Sequence, residues 1–205
     1  QHGGHRGRGA RTAGGLAGRA RGHVRGRRPV DRVFLVGMSG AGKSSVARAA
    51  AARLGWSAWD SDAEIAARDG RSIPQIFAQD GEPAFRDLER DVVDALSARP
   101  CAVGALGGGA MADAPTRERL LARGLVAWLQ VSPDVAAVRL EAGLAVEPRP
   151  MLGDDPRRRL ADLIAAREAA YRQAHLHVAT DDCSVAEVAD TLAAEVRAAS
   201  ATGPA

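Results

Sequence analysis

Gly37-Met38-Ser39-Gly40-Ala41-Gly42-Lys43-Ser44-Ser45 follows an apolar run, Val33-Phe34-Leu35-Val36, and leads into an alanine-rich segment over 46–54. The order of Gly37, four residues, then Gly42-Lys43-Ser44 is that of a phosphate-binding loop between a strand and a helix. Glycines without Cβ let successive backbone N–H groups turn inward around an anion, and the helix that begins there adds its positive end. This assigns Gly40, Ala41, Gly42, Lys43, Ser44 and Ser45 to the phosphates of a nucleotide. Lys43 is placed to reach the outer phosphates, and the Ser44 hydroxyl to meet Mg²⁺. Composition adds a second argument: of 28 Lys+Arg residues, Lys43 is the only lysine. A planar guanidinium is a poor replacement for a compact ammonium inside a loop wrapped around phosphates. The chain reads as a nucleotide-binding protein.

Outward from this loop, strand and helix patterns alternate. Strands are expected over 32–36, 56–59, 101–106, 125–131 and 176–179. Helices are expected over 43–54, 62–68, 73–79 (capped by Ser72), 83–98, 116–123, 134–142, 157–174 and 185–198 (capped by Ser184). The stripe Phe85, Leu88, Val92, Ala95 and Leu96 has helical spacing. Five short apolar strands alternating with helices give an α/β fold, a three-layer α/β/α arrangement around a five-stranded parallel sheet. Ligands of such sheets sit beyond the carboxyl ends of the strands. The phosphate loop, Asp60 and Gly107-Gly108-Gly109 all fall at such ends, so one cleft is expected to collect them.

Residues 1–30 hold eight arginines and no acid, so the net charge of +3 divides into +8 there and −5 in the remainder. This Gly/Arg-rich stretch has too little apolar surface to offset its ordering entropy, and disorder is expected. Three readings compete for it: a nucleic-acid-binding arm, a transit peptide, and a nonfunctional extension. The last is the expectation, with nucleic acid an unlikely partner and deletion of 1–30 without effect. The folded domain is expected over 31–200, with a proline-rich loop over 143–156 and a short tail over 201–205. No apolar run approaches the ~20 residues that cross a bilayer. Cys101 and Cys183 have no metal or redox spacing and read as reduced thiols of a cytoplasmic protein.

Two carboxylates, Asp60 and Asp62, stand at i and i+2 on a strand end and are expected to point to the same side. One reading has one of them cap the following helix. The other divides labour, with one carboxylate on hydrated Mg²⁺ and one on an acceptor hydroxyl. Further on, Phe77 and Phe85 stand close to Arg86.

The succession GMSGAGKSS, WDSD, IFAQDGEPAFR, LGGGA, RPML and REAAYRQA resembles the shikimate kinases. The resemblance runs from about residue 33 to 194, and IFAQDGEPAFRDLE is its most specific piece. It implies the nucleoside-monophosphate-kinase type of fold with a mobile lid over 143–156. It also implies transfer of the ATP γ-phosphoryl group to the 3-hydroxyl of shikimate, on the chorismate route to aromatic amino acids, by a monomer. Residue by residue, it implies Lys43 on the β/γ-phosphates and Ser44 and Asp60 on Mg²⁺. Asp62 corresponds to the base or positioning group on the shikimate hydroxyls. Arg86 and Arg167 correspond to the pair on the shikimate carboxylate, with Glu89 orienting Arg86. Gly107, Gly108 and Gly109 supply backbone against the substrate, Phe77 and Phe85 line its pocket, and Arg149 is the lid arginine on the transferring phosphate.

The sequence departs from that pattern in three places. Residues 140–148 are acidic and apolar, Ala169-Ala170 stand where the family has Pro-Leu, and Asp181-Asp182-Cys183 replace basic residues beside the adenine. Two rival readings stay open: a kinase of the same fold acting on an amino-shikimate, and a noncatalytic nucleotide-binding protein with a nucleic-acid-binding tail. Gluconate kinases need acceptor motifs rich in His, Asn and Lys, which are missing.

Overall fold

The structure is a computed structural model that describes residues 20–21, 30–143 and 155–201. Its strands are β1 (Ala20–Arg21), β2 (Arg32–Val36), β3 (Ser57–Asp60), β4 (Ala102–Ala105), β5 (Leu125–Gln130) and β6 (Leu176–Ala179). The helices are α1 (Lys43–Leu54), α2 (Ser61–Asp69), α3 (Ile73–Ser97), α4 (Ala114–Arg123), α5 (Pro133–Gly143), α6 (Pro156–Tyr171) and α7 (Val185–Ala201). The sheet order is β1-β6-β5-β2-β4-β3. Strands β2 to β6 are all parallel, and β1 is an antiparallel two-residue addition on the outer edge of β6.

Alternation along β2 explains the layers. Phe34 and Val36 face one side and pack with Trp59, Ile65, Phe85, Val126, Trp128 and Tyr171 under α2 to α6. Val33 and Leu35 face the other and pack with Val46, Ala50, Val103, Ala127, Val178 and Leu192 under α1 and α7. Both faces are covered, so the parallel strands carry unbroken apolar runs. The five-stranded parallel sheet between two helical layers matches the expected α/β/α architecture.

The expected break between two helices falls inside α3. Gly81 has φ +79° and ψ 175°, and Pro83 follows within the same run. Asp62 corrects the strand-end expectation: it lies in the first turn of α2 rather than on β3. The expected lid, Arg149 included, lies in 144–154, outside the described residues apart from its two ends. The expectation for 1–30 also falls outside them, with Ala20–Arg21 and Val30 as exceptions. No helix among the described residues is long and apolar enough to cross a membrane.

Candidate active site

The phosphate loop joins the end of β2 to the start of α1. Gly40 has φ +84°, and a Cβ there would lie 2.8 Å from the Ala136 carbonyl oxygen and 2.9 Å from Ala136 Cα. Any side chain would collide with α5, so the loop can wrap this tightly only with glycine. Lys43 Nζ donates to the Gly37 carbonyl at 2.9 Å and the Met38 carbonyl at 3.0 Å, folding the ammonium across its own loop. Ala41 is buried and Ser45 exposed, so the two sit at the inner and outer limits of the loop. Ser44 Oγ donates to Asp60 Oδ2 at 2.5 Å. The other Asp60 oxygen accepts from the backbone N–H groups of Asp62 (3.0 Å) and Ala63 (3.3 Å), capping α2. One carboxylate therefore fills the capping role and still presents an oxygen beside the Ser44 hydroxyl.

The second half of the site forms around the glycine triplet after β4. Ser61 Oγ accepts from the Gly107 N–H at 2.8 Å, tying the start of α2 to the end of β4. A Cβ on Gly107 would stand 2.6 Å from Glu89 Oε1 and 2.7 Å from Asp62 Oδ1. A Cβ on Gly109 would run into the Arg86 guanidinium, and one on Gly108 would stand 3.2 Å from Arg167 Nη1. Carboxylates from α2 and α3 and guanidinium groups from α3 and α6 thus converge on three residues that have no side chains. Arg167 Nη1 donates to the Gly108 carbonyl at 3.1 Å, and the Tyr171 hydroxyl donates to the same oxygen at 2.5 Å. Arg167 and Tyr171 are one turn apart on α6, and Tyr171 stacks on Trp128 of β5 with ring centroids 5.6 Å apart. That stacking fixes the helix face on which Arg167 stands.

Arg86 is gripped from two sides. It donates to Glu89 Oε2 at 2.6 Å and to Glu82 Oε1 at 2.9 and 3.2 Å, and its guanidinium lies 5.2 Å from the Phe85 ring centroid. Burial alone pulls its pKa down, but the hydrogen bonds and charges of Glu89 and Glu82 outweigh this and leave it raised. Glu89 is only 3% exposed, and burial pushes its carboxyl above the ordinary value against the pull of Arg86. Its Oε1 is buried without a hydrogen-bond partner among the described residues. Phe77 and Phe85 meet at 4.5 Å between centroids; Phe85 is core, and Phe77 is half-buried against it. Behind Arg86 a cavity of about 210 Å³ is lined by Glu89, Arg90, Gly109, Asp113 and Thr116.

Sequence reasoning left out two residues that the fold brings to these sites. Tyr171 is the chain's only tyrosine, four residues after Arg167, and that spacing was a usable signal. Arg139 had no such signal, because the atypical stretch after it removes the landmarks. On α5 it donates to the Gly40 carbonyl (3.4 Å), Thr180 Oγ1 (3.3 Å) and the Thr180 carbonyl (2.6 Å). It thereby braces the phosphate loop against the segment that follows β6.

A family model described as shikimate kinase matches residues 39–197, a span that contains both halves of the site. The chain belongs to the shikimate kinase family. The shikimate kinase of Caulobacter vibrioides (strain NA1000 / CB15N) is 43% identical over 151 residues, covering 73% of this chain and 74% of that protein. The shikimate kinase of Thermobifida fusca (strain YX) is 44% identical over 167 residues, covering 80% and 94%. Among solved structures, shikimate kinase from Acinetobacter baumannii in complex with shikimate superposes with a TM-score of 0.77 at 35% identity, covering 82% of this chain and 94% of that one.

Proposed function

We propose that this chain transfers the γ-phosphoryl group of ATP to the 3-hydroxyl of shikimate, with the phosphate loop as donor site and the glycine-triplet floor as acceptor site. The observation that carries the assignment of the two halves is the convergence of Asp62, Glu89, Arg86 and Arg167 over Gly107–109 beside Lys43 and Ser44. A small anionic polyol needs such a mixture. Guanidinium forks suit a planar carboxylate, and carboxylates accept from hydroxyls.

In this reading the backbone N–H groups of the loop and the start of α1 hold the phosphates. Lys43 exchanges its two carbonyl partners for the β- and γ-phosphate oxygens. Asp62 accepts the proton of the attacking hydroxyl, or holds that hydroxyl in line, while the new O–P bond forms and the bond to the β-phosphate breaks. Arg86, steadied by Glu89 and Glu82, and Arg167, steadied by α6, fix the acid so that the reacting oxygen meets phosphorus. Arg149 of the lid covers the transferring group. The neighbouring Ser44 hydroxyl and Asp60 carboxylate are hard oxygen donors, the set that suits Mg²⁺, and would hold it beside the phosphates. When bound, Mg²⁺ supplies charge neutralisation on the phosphate oxygens. The same reading takes the chain as a cytoplasmic monomer without a nucleic-acid partner.

The test is a coupled ADP-release assay with Mg²⁺-ATP across shikimate, an amino-shikimate, quinate and gluconate. Shikimate is expected to be the preferred acceptor and to yield shikimate 3-phosphate. Lys43→Ala is expected to lose at least about 10³-fold in kcat, the scale on which phosphate-clamping cations act, with its circular dichroism unchanged. A preference for the amino analogue moves the assignment to that substrate, and absence of turnover on every acceptor removes the catalytic reading.

A further inference from the structure

The arginine-rich N-terminal stretch reads from sequence as a nonfunctional extension, yet Ala20 and Arg21 pair in register with Val178 and His177 of β6. We propose that the N-terminal arm is an edge strand that acts in cis: Ala20–Arg21 close the open side of β6 and keep it from pairing with another chain.

The argument begins with the two edges of the sheet. β3, at one edge, exposes Ser57 and Ala58 and ends in the charge of Asp60. β6, at the other, reads Leu176-His177-Val178-Ala179, with no lysine, acid or proline to discourage a further strand. Its outward row of N–H and C=O groups is a template for any extended chain, and proteins guard such rows with charge, proline or cover. Cover by β1 does this without presenting a new template. Gly18 and Gly22 flank the paired residues, arginines fill much of the arm, and no apolar run is available to extend the ladder.

Direction and reach favour the chain's own arm. β1 runs antiparallel to β6, and β6 runs parallel to β5 and β2 in sheet order. Arg21 therefore leaves the ladder toward the end of the sheet at which β2 begins. Ten residues, 22–31, separate Arg21 from Arg32, and such a length spans up to roughly 33 Å. The gap from β1 to β2 is three strand spacings, about 14 Å. Main-chain pairing of this kind needs no side-chain pattern, which is why periodicity in 1–30 gave no sign of it.

The test compares the full chain with two variants by amide hydrogen exchange and thermal melting. Ala20→Pro/Arg21→Pro removes both main-chain donors of β1 and leaves the rest of the arm. Arg21→Ala removes only a side chain. The expected result for the double proline variant is exchange at His177 or Val178 faster by roughly tenfold and a Tm lower by about 2–4 °C, the shift that follows loss of roughly one net hydrogen bond in a domain of this size. Arg21→Ala is expected to match wild type. Unchanged exchange and Tm in the double variant overturn the proposal, as do equal effects in both variants, which would assign the effect to charge. Exchange is also measured at two protein concentrations twentyfold apart. Protection independent of concentration supports cis pairing, and protection that rises with concentration overturns it in favour of pairing between copies.

Discussion

Glu89 sits where opposing electrostatic effects meet. It is nearly fully buried, one oxygen holds Arg86 at 2.6 Å, and the other has no partner among the described residues. Burial pushes its pKa up, Arg86 and Arg167 pull it down, and Asp62 pushes it up again; the balance is a raised value. An acid whose pKa is raised by folding binds its proton more tightly folded than unfolded. Its contribution to stability is intact below the ordinary value of 4.5 and is lost as pH climbs through the raised one. Glu89→Gln abolishes that titration. The Tm of the variant minus that of wild type is therefore expected to become more positive as pH rises above the ordinary value of 4.5. A difference that stays flat would mean that Arg86 fully offsets the cost of the buried charge. Activity is expected to move the other way. Arg86 loses its inner anchor, and KM for the acid substrate is expected to rise by about tenfold or more while KM for nucleotide changes little. That is the scale of one charge-assisted hydrogen bond.

At the scale of elements, the layers and the phosphate loop were legible because local rules decide them. Apolar runs of four or five residues, separated by helical stripes and closed by glycines, admit few arrangements, and Gly42-Lys43-Ser44 at a strand-to-helix junction admits fewer. What local rules could not reach is geometry set between elements. Asp60 and Asp62 looked like neighbours on one strand face, but α2 begins at Ser61 and turns Asp62 toward the glycine triplet, so the entry into a helix aims it. Arg139 could not be placed by its neighbours in sequence, because its partners Gly40 and Thr180 lie 99 and 41 residues away. β1 was illegible because its bonds are backbone bonds. The lid carries a prediction that rests on sequence. Among residues 140–149 the only basic side chain is Arg149, with Glu141 and Glu147 as the charged alternatives. A closing element must bring positive charge to the transferring phosphate and exclude water from it. Arg149→Ala is expected to lower kcat by about 10³-fold, the scale of an arginine finger, with little change in shikimate binding. A mild loss would show that another arginine, such as Arg157, Arg158 or Arg159 at the start of α6, takes its place.

At the scale of the whole molecule, neither half of the site exists outside the fold. The donor half combines α1 with the β3–α2 junction, and the acceptor half combines α2, α3, the end of β4 and α6. Groups contributed from Lys43 to Tyr171 come together only when the sheet is formed. Each ligand therefore binds the native state and not the unfolded chain, and must stabilise it by mass action. At a free concentration 100 times its Kd a ligand adds about 2.7 kcal/mol, and in a domain of this size each kcal/mol is worth about 2–4 °C in Tm. Shikimate and ATP, each at such excess, are expected to raise Tm by roughly 5–10 °C. The two halves make separate predictions. Arg86→Ala removes a fork from the acceptor floor and leaves the phosphate loop intact, so the shift with shikimate is expected to vanish while the shift with nucleotide remains. Lys43→Ala is expected to do the reverse. Should Arg86→Ala lose both shifts, its ties to Glu82 and Glu89 would be holding the fold rather than the substrate, and the carboxylate would have to be gripped by Arg167 alone. A residual shikimate shift in Arg86→Ala that disappears in Arg86→Ala/Arg167→Ala would show that the two guanidinium groups share the acid.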